Sequence, residues 1–200
     1  MSDSFGREED AAGVRFGRAI LVASAEPILR QPVEAIVCPA NARGVMGVGV
    51  AGAVRMAGGI DIERAAMAKA PLALGSAVLT EPGLLKDRGV AAIIHAVVSD
   101  ALGSPTRPDI VRDATTATLG IVDRQRIRSL AVPPLGSGLT ASGLTGTMIF
   151  AIMIEEIVAH LRRFSSRLER VVLICRDERE LREVTAIVHE ARELWDGLRI

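Results

Sequence analysis

Short apolar runs with the character of buried strands recur along this chain, separated by stretches whose apolar residues fall at helical spacing. Strands are predicted at residues 18–23 (RAILVA), 35–38 (AIVC), 77–80, 91–98, 129–132 and 170–175 (RVVLIC). Helices are predicted at 50–57, ended by Gly58 and Gly59, and at 61–69, ahead of Pro71. A third covers 108–123, with Ile110, Ala114, Ala117 and Ile121 on one face and Pro108 in the first turn. A fourth, 145–162, is apolar on most sides, so Met148, Phe150 and Met153 are expected in the core. The last opens at Asp177 with Glu180 three positions on, a capping-box-like start, and carries the stripe Leu181, Val184, Ile187, Val188 and Ala191. Regular alternation, without an internal repeat or low-complexity linker, predicts one α/β domain with a largely parallel sheet between helices. Residues 1–16 are expected to be a flexible tail and 17–200 the single domain.

Composition narrows the function. Twenty-four Lys and Arg balance 24 Asp and Glu, removing the broad attraction that draws proteins to nucleic acid or acidic membranes. Four Phe, one Trp and no Tyr leave little for base stacking, so no nucleic-acid partner is expected. Cys38 and Cys175 lie far apart in apolar runs without a CxxC, which argues against a disulfide framework or zinc site, and neither metal nor cofactor is expected. The first residues lack the apolar middle of a signal peptide. The longest apolar run, 148–154, is far short of the ~18 residues of a membrane span. A soluble, cytoplasmic protein is the expectation.

Two loops hold the candidate chemistry. Residues 41–49 and 135–143 (LGSGLTASG) each follow a short buried strand, are rich in glycine and lead into a helix. Such a loop is suited to anions, because glycines admit close backbone approach while helix N-terminal amides supply positive potential. The stretch Gly47 to Gly52 spells GxGxxG, yet it begins well past the strand, and Leu72 stands where a ribose-binding acid would be needed, so the dinucleotide fingerprint does not fit. No Walker loop is present.

The segment VEAIVCPANARGVMGVGVAGAVRMAGG, residues 33–59, closely resembles the signature of macro domains, modules that bind ADP-ribose and in some members process ADP-ribose-1''-phosphate. AAIIHAVV at 91–98 and PPLGSGL at 133–139 match later family motifs in the right order. The resemblance implies a three-layer α/β/α sandwich with a mixed, largely parallel sheet, and ADP-ribose or ADP-ribosylated protein as partner. It places Asn41 at the distal ribose, where it is the candidate catalytic residue if the protein is active. Gly47, Val48, Gly49 and Val50 fall on one side of the diphosphate, and Gly136, Ser137, Gly138 and Leu139 on the other. Ungapped alignment puts Pro27 where members carry the acid that accepts from the adenine amino group, and a one-residue shift gives that place to Glu26; Arg176 takes the place of an aromatic that stacks on adenine. One departure bears on activity: the acid that hydrolysing members carry ten positions after this Asn is Ala51 here.

Blander roles stand beside these. Asn41 is also a natural turn residue, His95 a hydrogen-bonded core histidine and Cys175 an inert core thiol. A Cys38–His95 nucleophile pair has no third orienting residue. The expectation is a binding module for ADP-ribose or a related nucleotide diphosphate with hydrolysis weak or absent. The alternatives are an ADP-ribosyl or O-acetyl-ADP-ribose hydrolase with a rearranged site, and a degenerate domain used in assembly.

Overall fold

The computed structural model describes residues 13–137 and 143–197. In chain order the elements are β1 (Val14–Phe16), β2 (Ala19–Ser24), β3 (Ala35–Asn41), α1 (Gly49–Gly58), α2 (Ile60–Met67), β4 (Ala77–Thr80), β5 (Ala92–Ser99), α3 (Pro108–Gln125), β6 (Ser129–Val132), α4 (Gly146–Arg163), β7 (Arg170–Ile174) and α5 (Glu178–Gly197). Short 3-10 segments at Ile28–Arg30 and Gly83–Arg88 complete it. Among the described residues the strands form one sheet in the order β1-β2-β7-β6-β3-β5-β4. β2, β7, β6, β3 and β5 run parallel, while β1 and β4 pair antiparallel at the two edges. The sheet is therefore mixed and largely parallel.

Side chains of a strand alternate between the sheet's faces, so each central strand feeds two cores. Ala35 and Val37 of β3, with Ala92, Ile94 and Ala96 of β5, face α3, α4 and α5. Ile36, Cys38 and Ile93 face α1 and α2, against Val54 and Ile62. Phe16 and Phe150 are fully buried, each contributing roughly 1.5–3 kcal/mol. The result is the expected α/β/α sandwich, with every central strand covered on both faces.

Local chemistry sets the helix ends. Pro108 occupies the first turn of α3, where no N–H is needed. The Thr145 hydroxyl accepts from Met148 N at 3.1 Å to cap α4, and Asp177 Oδ1 accepts from Glu180 N at 2.8 Å to open α5.

Three details depart from the sequence reading. Val14–Phe16 is an edge strand and not part of a tail, because Phe16 is buried edge-on to Trp195 with ring centroids 5.7 Å apart. The buried face of α3 is broader than its predicted stripe. Val111, Thr115, Thr118 and Val122 are buried as well, and the threonines bond back to Val111 O (2.7 Å) and Ala114 O (2.8 Å), satisfying their hydroxyls within the helix. Met148 is 49% exposed: it lies on the outward face of the first turn of α4, whose Gly146 and Ile149 are buried.

Candidate functional site

The carboxyl ends of β2, β7, β6 and β3 open on one edge of the sheet, where ligands of parallel α/β sheets bind. A cleft of about 610 Å³ lies there, between the β3–α1 loop and the turn after β6. Val48, Gly49, Val50 and Ala51 form one wall, and Pro133, Pro134, Gly136 and Ser137 the other. Its far end is closed by Pro27, Ile28 and Leu29 together with Ile174, Cys175 and Arg176. A smaller compartment of about 260 Å³ adjoins it, sharing Pro39, Val48, Ala51 and Gly136, and runs toward Asn41, Ser99 and Leu102. The two glycine loops thus face each other across a space with two ends.

The first wall is electropositive without a basic side chain. α1 begins at Gly49 with no acidic residue in its first turn, so its leading backbone amides, which have no intrahelical acceptor, face the cleft. Gly49 adopts φ +62, and a Cβ there would meet nothing within 4 Å. Leu102 crosses Gly47, and a Cβ there would lie 2.7 Å from a methyl of this exposed side chain. On the second wall, Ser137 folds back on Pro134 O through its N–H (3.5 Å) and hydroxyl (3.2 Å). Gly136, at φ +92, packs against Thr106. Gly138 and Leu139 lie outside the described residues.

The remaining candidates are placed unequally. Asn41 is 4% exposed at the floor of the smaller compartment, and its amide bonds to its own loop. Nδ2 donates to Val45 O at 2.8 Å, and Oδ1 accepts from Arg43 N (3.1 Å) and Val45 N (3.4 Å). Glu26 does not line the cleft. The chain turns at Pro27 into the 3-10 turn, which leaves the Glu26 carboxylate on the outer side, 3.5 Å from Arg30, beside a separate depression over β2 and β7. Pro27, Ile28 and Leu29 present an apolar surface to the cleft in its stead.

Arg176 does line the cleft, fixed by a residue that sequence reading saw only as a helix start. Glu180 is 3% exposed; its carboxylate accepts Arg176 N at 2.7 Å and the guanidinium through Nη2 (3.1 Å) and Nε (3.3 Å). That carboxylate also lies so close to Gly146 that a Cβ there would be 1.8 Å away. The N-terminus of α4 therefore faces a carboxylate belonging to the chain itself, and the exposed helix amides of the cleft are those of α1.

Acid/base groups are scarce. Apart from the Cys175 thiol, Arg176 is the one ionisable side chain among the described residues lining the two compartments. Burial, reinforced by the carboxylate of Glu180, pushes the Cys175 thiol up to about 12. Cys38 and His95 are register partners on β3 and β5, yet they do not form a nucleophile pair. Burial raises the Cys38 thiol to about 12, while burial and the nearby Lys69 ammonium lower His95 to about 4. The imidazole Nε2 lies 2.8 Å from Thr80 Oγ1, so His95 is a neutral, hydrogen-bonded core residue. Among the described residues no group of His, Cys, Asp and Glu is arranged to hold a metal ion, and no helix is long and apolar enough to cross a membrane.

Sequence comparison bears on this geometry. Residues 37–144 match the Macro domain family. An uncharacterized protein of Aquifex aeolicus is 41% identical over 146 residues, which are 72% of this chain and 83% of that protein. The Oceanobacillus iheyensis macrodomain with ADP superimposes with a TM-score of 0.72 at 21% identity, covering 92% of this chain and 96% of that one. The Trypanosoma brucei macrodomain in complex with ADP-ribose does so at 0.70 and 22% identity, covering 86% and 69%. At such identities the structural likeness establishes the fold. Because the family match takes in more than half of the residues and the Aquifex relative is aligned over most of both proteins, the chain belongs to the macro domain family.

Proposed function

We propose that this chain is a binding module for ADP-ribose or a related nucleotide diphosphate, free or attached to protein, and that it does not hydrolyse its ligand. The observation carrying this is a two-ended cleft walled by glycine loops and the amino end of α1, with no carboxylate among its described lining residues. A diphosphate suits such walls, because backbone amides and a helix terminus stabilise negative charge that a lining carboxylate would repel. The ligands named for the Oceanobacillus and Trypanosoma macrodomains, ADP and ADP-ribose, are of this chemical class. In this reading Gly47 to Val50 hold one side of the diphosphate and Gly136 to Leu139 the other, with Arg176 at the base.

A hydrolase using Asn41 is less well supported. General acid/base work needs a group that can take up or release a proton near neutral pH, and the smaller compartment has none among its described residues. Ala51 lines it where an acid would be required, and the Asn41 amide is already engaged by its own loop.

Calorimetric and thermal-shift titrations with ADP-ribose, ADP, AMP and ribose phosphate test the reading. ADP-ribose is expected to bind and stabilise more than AMP or ribose phosphate, because it alone spans both compartments. Absence of any shift at millimolar ADP-ribose would overturn the proposal. Release of ADP-ribose from an ADP-ribosylated glutamate substrate is expected to stay at the background rate. Robust turnover would show that the site holds a proton-transfer group and would overturn the non-hydrolysing reading.

A further inference from the structure

The diphosphate wall between β3 and α1 is held from behind by a carboxylate that never reaches the cleft. Glu63, on α2, is 6% exposed. Its Oε1 accepts Met46 N at 2.7 Å, and its Oε2 accepts Arg55 Nη1, on α1, at 3.0 Å. Burial by itself would raise the Glu63 carboxyl, but the Met46 N–H and the Arg55 guanidinium outweigh it and hold the group below its ordinary range, so it is ionised at neutral pH. Met46 is the residue before Gly47, and its side chain is buried in the α1–α2 core. The same loop rests on α2 at Gly44, where a Cβ would lie 2.8 Å from the Ala66 backbone. One carboxylate thus ties α2, α1 and the residue that leads into the diphosphate wall.

We infer that Glu63 is a positioning residue for ligand binding: by anchoring Met46 N it fixes the course of Gly47 to Gly49, so that their amides stand ready to receive a diphosphate. The inference rests on the reading of the cleft given above. Its physical basis is preorganisation, since a wall ordered before the ligand arrives does not have to be ordered at the expense of affinity. A buried N–H without its acceptor would favour a different loop path.

The test compares wild type with Glu63→Gln, Glu63→Met and the double variant Glu63→Met/Arg55→Met, by ADP-ribose calorimetry well below each variant's Tm and by amide hydrogen exchange without ligand. Glutamine keeps an oxygen acceptor for Met46 N and is expected to bind within about threefold of wild type. Glu63→Met is expected to bind about tenfold more weakly, with faster exchange at residues 46–49. The double variant, which replaces the ion pair by apolar side chains and so guards against loss of folding, is expected to show the same weakening. A merely structural role would lower Tm and leave affinity below Tm untouched, so wild-type affinity in either methionine variant would overturn the inference. Failure of the wild type to bind ADP-ribose would overturn the functional reading instead, and the exchange measurement would still report whether Glu63 holds the loop.

Discussion

Gly49→Glu is expected to weaken ADP-ribose binding at least about 100-fold, close to 3 kcal/mol, while the protein remains folded. A Cβ on Gly49 enters open space, so no neighbour has to move. The cost to the fold is the left-handed backbone at φ +62, about 1–2 kcal/mol for an L residue, partly offset by about 0.3–1 kcal/mol for an acid at a helix N-terminus. The new carboxylate would lie against the α1 amides in the space assigned to the diphosphate, so steric exclusion and like-charge repulsion act together. Gly136 would be a poorer test, because a Cβ there meets Thr106 at 2.5 Å and loss of binding could follow from a distorted fold. Circular dichroism and Tm near wild type, with calorimetry showing no heat of binding, is the expected pair of results. Affinity within tenfold of wild type would place the diphosphate elsewhere.

The contrast between these two glycines shows what the sequence could and could not convey. Both stand in glycine-rich loops after short apolar strands, and this pattern, with the order of strands and helices, was enough to place both loops on one edge of a parallel sheet. Period and punctuation are local signals, and they survive in the fold because each central strand is buried on both faces. The features that escaped depend on long-range geometry. Glu63 lies in IDIERAAM, where nothing local tells it apart from Asp61 as the acid to be buried, and only the packing of α2 behind the β3–α1 loop turns it inward. Glu180 was legible as a helix start, but not as the anchor of Arg176 at the far end of the cleft. Glu26 and Pro27 differ by one residue along the chain and face opposite sides of a turn, a distinction that spacing alone does not carry. β1 was hidden because three residues are too few to show an alternation, and its burial depends on Trp195 at the other end of the chain.

Acid is expected to destabilise the protein through His95 by about 3 kcal/mol between pH 6.5 and 4. The imidazole is 1% exposed, and burial, with the Lys69 ammonium nearby, lowers it from 6.5 in the unfolded chain to about 4 in the fold. Above pH 6.5 it is neutral in both states and the stability is fully present. As pH falls toward 4 the unfolded chain takes up a proton that the fold refuses, and stability is lost until both states are protonated. At about 1.4 kcal/mol per pH unit of separation the loss comes to roughly 3 kcal/mol. Carboxylates held by basic partners or backbone N–H groups, Glu63 among them, add to acid destabilisation, so the histidine contribution has to be isolated. Glutamine at position 95 keeps a polar group facing Thr80 but cannot take up the proton. Urea unfolding of wild type and His95→Gln at pH 7 and pH 4.5 should therefore give a steeper loss for the wild type, with the difference in unfolding free energy between the two proteins narrowing or reversing in acid. Equal pH dependence in both would mean that His95 is protonated as readily in the fold as out of it, which its burial beside Thr80 and Lys69 opposes.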